Sequence, residues 1–160
     1  MRVFALVLVI AMALGVAAAA VERKPLPEVD LATRDGGIVR ADTVARDGTW
    51  VMFYVHSGCR SCEAVLSALD GLEATDGTAR VTIVAETKDA AELTSLVARF
   101  PHLASVQWLA DVTGEMGERV APQAAATVLG LQGTMIEWSV AGIVTDAAQV
   151  KSVVTAWLNR

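Results

Sequence analysis

Cys59 and Cys62 are the only cysteines in the chain, and Arg60 and Ser61 separate them. A dithiol of this kind works when a thiolate attacks a disulfide, giving a mixed disulfide that a second nearby thiol resolves. The attacking sulfur must be exposed and stabilised as the anion, and the resolving sulfur must be near enough to close a small ring. A C-x-x-C pair at the start of a helix meets both demands. The first sulfur lies where unpaired backbone N–H groups and the helix dipole favour negative charge, and the second lies one turn on. Cys59 is therefore expected at the helix start, with Cys62 less exposed beneath it. Arg60 adds a cation that stabilises the Cys59 thiolate, and Glu63 acts weakly in the opposite sense.

Other uses of the pair fit less well. A structural disulfide across so short a loop removes little entropy from the unfolded chain. A zinc site needs two further ligands, for which only His56 and His102 are available. Covalent haem attachment asks for His directly after the second cysteine, where this chain has Glu63. His56 precedes Cys59 by three residues and could tune the thiolate or contact a metal; a solvated histidine at a strand end is the plainer reading. His102 reads as a loop residue. Trp50, Trp108, Trp138 and Trp157 read as core or rim packing.

The elements that must position the pair follow from hydrophobic patterning. Val29–Thr33 and Gly37–Arg40 flank Arg34-Asp35-Gly36, the pattern of a hairpin with an Asp-Gly turn. Ala41–Gly48 is polar and connects onward. Thr49–Val55 is continuously apolar and rich in aromatic and β-branched residues, which predicts a buried central strand. After Cys59, the spacing of Cys62, Val65, Leu66, Leu69 and Leu72 makes one apolar helix face, ending near Thr75-Asp76-Gly77. Ala79–Ala85 is a second buried strand. Asp89–Phe100 is a helix closed by Pro101. Val106–Ala110 is a short strand, and Thr113–Val120 makes one or two helical turns. Ala126–Leu131 and Thr134–Val140 are strands joined at Gln132-Gly133. A last helix starts near Thr145-Asp146 and buries Ala147, Val150, Val154, Trp157 and Leu158. This order predicts the α/β class: a central mixed sheet flanked by helices, with an N-terminal β-hairpin extension.

Residues 1–20, MRVFALVLVIAMALGVAAAA, combine a short positive start, an apolar stretch and a small-residue end. They read as a secretory signal peptide cleaved near Ala20, or else as a membrane tether through residues 3–20. Either places the rest of the chain outside the cytoplasm, in a periplasm or another extracytoplasmic space, soluble after cleavage or anchored facing outward. Residues 21–28 form a lead-in and 29–160 one domain, with no repeats. Beyond Ala20 there are twelve basic and eighteen acidic side chains, a net charge of −6. No basic run or basic–aromatic cluster is present, which argues against nucleic-acid binding.

The stretch WVMFYVHSGCRSC, with a hairpin before it and strand–QG–strand–helix after it, resembles thioredoxin-like proteins of the exported TlpA and AhpC/TSA-related redoxin group. It is also similar to MauD-type proteins of methylamine utilisation, which carry an N-terminal hydrophobic segment. The resemblance covers Leu26 to Arg160. It implies a thioredoxin fold with Cys59 as nucleophile, Cys62 as resolving thiol and no cofactor beyond the redox-active pair. The sequence departs from the family at several places. The family's substrate loop carries a cis-proline, and that place falls near Ala125, beside Ala126; Pro122 stands three residues earlier. A cis peptide before alanine costs about 3–4 kcal/mol, so trans is expected. The buried acid six residues before the first cysteine is replaced by Phe53, and the usual aromatic before the motif by His56-Ser57-Gly58. The glutamate and proline that TlpA-type proteins carry inside the active-site helix are absent too. A peroxiredoxin-type peroxidase would have Thr or Ser where His56 stands.

These readings lead to an extracytoplasmic thiol–disulfide oxidoreductase acting on cysteines of a client protein. Candidate clients are an apocytochrome, a copper-site protein or a disulfide-rich periplasmic enzyme, with an upstream redox partner. Two alternatives stand beside it: a non-enzymatic thioredoxin-like assembly or partner-binding module, and a copper-handling protein using Cys59, Cys62 and His56 as ligands.

Overall fold

The computed structural model describes residues 23–70, 80–121, 126–142 and 147–160. Its centre is a strand that is apolar on both faces. Trp50 to Val55 are six consecutive residues with essentially no exposed surface. They lie in β4 (Arg46–His56), which follows β1 (Lys24–Pro25), β2 (Asp30–Thr33) and β3 (Ile38–Arg40). After β4 come α1 (Arg60–Ala68), β5 (Val81–Glu86), α2 (Ala90–Ala98), β6 (Gln107–Asp111) and α3 (Glu115–Val120). β7 (Thr127–Gly133), β8 (Met135–Ala141) and α4 (Ala147–Leu158) complete the order. The eight strands form one sheet in the order β1-β8-β7-β4-β5-β6-β2-β3. β4, β5 and β6 run parallel, while β7 and β8 are antiparallel, so the mixed sheet expected from the sequence is present.

Because side chains alternate along a strand, β4 feeds two cores. Val51, Phe53 and Val55 pack with Cys62, Val65, Leu66 and Leu69 around α1, with Leu93, Leu96 and Val97 of α2, and with Val154, Trp157 and Leu158 of α4. Trp50, Met52 and Tyr54 face the other way, onto Leu26, Val29, Leu31, Leu109 and Met116. Each large side chain so buried contributes about 1.5–3 kcal/mol. The described residues of the apolar faces predicted for α1, α2 and α4 lie in or against the first core, as their spacing requires; Leu72 and the side chain of Ala147 lie outside the described residues.

Several boundaries differ from expectation. β4 begins at Arg46 rather than Thr49, with a register shift against β7 between the two and Gly48 at φ +76. Ala41–Val44 is a 3-10 turn that buries Ala41. The segment before the hairpin belongs to the domain from Lys24 on: Lys24 and Pro25 pair with Ile136 and Met135, and Leu26 and Val29 are buried. The closing hairpin turns at Gly133-Thr134, one residue later than predicted, because Gln132 still pairs with Met135. The expected helix end at 75–77 and the cap at 145–146 lie outside the described residues, as does the reading of residues 1–20.

On the outer strands, Trp138 lies across Gly130, its neighbour in the β7–β8 register. A Cβ built at Gly130 would collide with the indole ring of Trp138. Gly130→Ala should therefore destabilise the fold by about 1–3 kcal/mol through overpacking, measured as a lower denaturation midpoint with an unchanged urea m-value.

Candidate active site

The chain leaves β4 at His56 and crosses Ser57 and Gly58 before α1 begins. Gly58 sits at φ +78, a left-handed conformation that glycine adopts without penalty. This bend lets the Cys59 N–H donate to the His56 carbonyl at 3.3 Å and sets Cys59 as the N-cap of α1. Its Sγ accepts the Cys62 backbone N–H at 3.2 Å. The sulfur thus takes the place that a Ser or Asp oxygen usually takes at a helix start. The Ser61 hydroxyl lies 3.1 Å from the same sulfur. Cys59 and Cys62 are joined as a disulfide, their Cα atoms 5.2 Å apart.

The two sulfurs differ in access, as the spacing predicts. Cys59 is half-buried, and Cys62 is 1% exposed in the apolar cluster with Phe53, Val65 and Leu66. Phe53 is fully buried in that cluster, so the wall under Cys62 is hydrocarbon where the resemblance leads one to look for an acid. Arg60 is exposed on the first turn of α1. Glu63 pairs with Arg99 at 2.6 Å, which offsets its charge near the motif; both side chains are 40% exposed or more, so the pair itself contributes at most about 1 kcal/mol. Ala126 is buried in the same cluster as Cys62, and its carbonyl accepts the Gly142 N–H at 3.3 Å. Pro122 and Ala125 lie outside the described residues.

His56 is not the solvated histidine that its strand-end position suggests. Its side chain is 19% exposed, and its Nδ1 faces Glu86 Oε2 at 3.0 Å. A neutral ring makes this contact with the proton on Nδ1. The ring packs edge-on against Tyr54, and Nε2 is buried without a hydrogen-bond partner among the described residues. What holds it is a contact between strands that no local sequence pattern shows. In the parallel register, His56 pairs with Glu86 and Glu86 with Asp111, so three polar side chains stand in one row at the C-terminal ends of β4, β5 and β6. The Tyr54 hydroxyl donates to Asp111 Oδ2 at 2.8 Å and lies 3.1 Å from Glu86 Oε2. Burial first, then the neighbouring carboxylates of Asp111 and Glu86, pushes the Tyr54 hydroxyl far above its ordinary value, so it stays a donor at every working pH. Asp111 is fully buried and also accepts the Gly117 N–H at 3.0 Å. The signal available in the sequence was a polar residue at the end of each predicted parallel strand. Among the described residues, no three His, Cys, Asp or Glu side chains converge as metal ligands, and the His56 ring is turned toward Glu86 and Tyr54.

No protein-family model matches this sequence, and no curated protein matches it. Solved structures do. A secreted Mycobacterium tuberculosis disulfide oxidoreductase, homologous to E. coli DsbE, matches at a TM-score of 0.64 and 16% identity, over 81% of this chain and 96% of that one. The chain has a thioredoxin-like fold. An exposed lipoprotein thioredoxin of Streptococcus pneumoniae matches at a TM-score of 0.60 and 14% identity, over 81% and 99% of the two chains. A peroxiredoxin of Vibrio vulnificus matches at 0.67 and 10% identity, over 84% and 96%. At these identities the similarity is one of fold. Within it, the Cys59–Cys62 pair opens the helix that follows the central strand, as the sequence predicted.

In the reduced protein, the Cys62 N–H and the Ser61 O–H are the donors placed to stabilise a Cys59 thiolate. Ser61→Ala should slow alkylation of Cys59 at neutral pH by about three- to tenfold, since a hydrogen bond to a charged group is worth about 1.5–3 kcal/mol when dry and less at a half-buried sulfur. Site-resolved mass spectrometry of the iodoacetamide adduct measures it.

Proposed function

We propose that this protein is an extracytoplasmic thiol–disulfide oxidoreductase that exchanges its Cys59–Cys62 dithiol and disulfide with cysteines of a client protein. The observation that carries this reading is the asymmetric pair itself. A half-buried Cys59 caps α1 and accepts its backbone N–H, while Cys62 is buried one turn on and bonded to it. The thioredoxin-like fold supports it, and so do two matched structures whose proteins are a secreted disulfide oxidoreductase and an exposed lipoprotein thioredoxin. The signal-like character of residues 1–20 supports export.

In the reducing direction, the Cys59 thiolate attacks one sulfur of a client disulfide. A Cys59–client bond forms and the client disulfide breaks, releasing the other client sulfur as a thiolate that takes up a proton. Cys62 then loses its proton and attacks the Cys59 sulfur, displacing the second client thiolate. The client gains two electrons and the protein is left with the Cys59–Cys62 disulfide; the reverse order oxidises a client dithiol. The stabilised Cys59 thiolate and the adjacent Arg60 favour the reduced form, which makes the couple more oxidising.

Among the described residues, the apolar cluster around Cys62 provides no acid side chain to receive its proton, so the resolving step is expected to be slow and client-dependent. That favours a narrow client, such as an apocytochrome or a copper-site protein, resupplied by an upstream redox partner.

Insulin reduction with dithiothreitol as the electron source checks the reading. Cys59→Ser should abolish turnover. Cys62→Ser should keep the first attack and accumulate a client adduct on Cys59 that reductant releases. Equal activity of wild type and Cys59→Ser would end the oxidoreductase reading.

A further inference from the structure

We propose that Glu86, a residue outside the C-x-x-C motif, is the positioning residue that sets how Cys59 is presented. This rests on the thiol–disulfide reading above, but it concerns the thiol itself rather than the client.

Two hydrogen bonds tie the end of β5 to the bridge between β4 and α1. The Glu86 side chain supplies one, its Oε2 accepting from His56 Nδ1 at 3.0 Å, and the main-chain carbonyl of residue 86 supplies the other, accepting the Ser57 N–H at 3.3 Å whatever the side chain. The next link is the His56 carbonyl, which accepts the Cys59 N–H at 3.3 Å. Packing does little here: Ser57 and Gly58 are exposed, and a Cβ at Gly58 would meet nothing within 4 Å. Hydrogen bonds therefore carry the placement of the bridge, and those on its β5 side converge on Glu86. A second tie, from the Ser57 hydroxyl to Glu92 at 2.9 Å, reaches the same bridge from α2.

Glu86 is itself held more firmly than its surroundings ask. Its side chain is 46% exposed, and a carboxylate there could simply be solvated. Instead Tyr54 reaches it from within the sheet at 3.1 Å. Tyr54 is anchored on buried Asp111, and Asp111 on the Gly117 N–H of α3. Gly117 leaves room for the phenol, since a Cβ there would collide with the Tyr54 hydroxyl. A line of hydrogen bonds thus runs from α3 through β6 and β4 to Glu86, the Tyr54 hydroxyl sharing its one proton between Asp111 and Glu86, and from the Glu86 side chain to His56, which precedes Cys59. Placement matters because the Cys59 sulfur depends on two contacts, at 3.1 and 3.2 Å, that weaken steeply with displacement or tilt.

Positioning and charge predict opposite signs. Loss of the tie loosens the cap and makes the Cys59 thiolate harder to form. Loss of a nearby negative charge makes the thiolate easier to form. Alkylation of Cys59 in the reduced full-length protein, read by site-resolved mass spectrometry, separates them, with the equilibrium against glutathione as second readout. Glu86→Ala should slow Cys59 by about fivefold and shift the glutathione equilibrium toward the disulfide by a similar factor, the scale of one lost hydrogen bond. Glu86→Gln keeps an acceptor for His56 and should react within about twofold of wild type. Faster reaction in both variants would show a through-space charge and overturn the proposal. Rates equal to wild type in both would overturn it as well. If Glu86→Ala does not fold, His56→Phe carries the test, because it removes the N–H that Glu86 Oε2 accepts and leaves the Glu86 charge; slowed alkylation supports the proposal and an unchanged rate overturns it. Alkylation needs no client, so a Glu86-dependent thiol in a protein that reduces no disulfide would sink the oxidoreductase reading and leave this one standing.

Discussion

The first turn of an α-helix has backbone N–H groups with no partner inside the helix, and the site depends on where the fold puts that turn. Here it is placed at the end of a strand buried on both faces. Trp50 to Val55 cannot shift without exposing one core or the other, so the point where the chain leaves the sheet is fixed. One left-handed glycine and one carbonyl then bring Cys59 onto the cap. A sulfur in that position receives a donated N–H from the chain itself, and the helix dipole adds to it. The placement of the Cys59 sulfur at the helix start is in this sense a property of the backbone.

The two faces of β4 are used differently. On the α1 side, Cys62 is buried in a cluster of apolar residues that includes Phe53. A sulfur there is kept from solvent. On the other face, the polar groups of Tyr54, Glu86, Asp111 and His56 satisfy one another in a line. Buried polar groups cost stability unless paired, and this line pairs nearly all of its atoms. Among the described residues, Nε2 of His56 is the atom of this line without a partner. The sheet therefore separates the apolar cluster that holds Cys62 from a polar scaffold, and the two meet at the strand end.

The outer strands close the sheet around this centre. The hairpin of β2 and β3 adds to β6, and β1 ties the chain back to β8 through Lys24 and Pro25. Trp157 donates to the Trp50 carbonyl at 3.1 Å and meets Trp138 edge to face, so α4 is fastened to the central strand by an indole rather than by charge. The tryptophans are packing residues, as their types suggest.

Local chemistry and periodicity determined much of this protein in advance. The C-x-x-C spacing, the apolar run before it and the helical stripe after it identify the pair, its exposure order and its place between strand and helix, because each depends on residues close in the chain. The order of elements follows for the same reason. What tertiary structure decided is the company the motif keeps. His56, Glu86 and Asp111 lie far apart in sequence and meet only because three parallel strands share a register. No local pattern says which strands are neighbours or which face a polar residue at a strand end will take. The opening pair was legible from sequence; the line of hydrogen bonds that holds its first cysteine in place was not, since a register is a relation between segments.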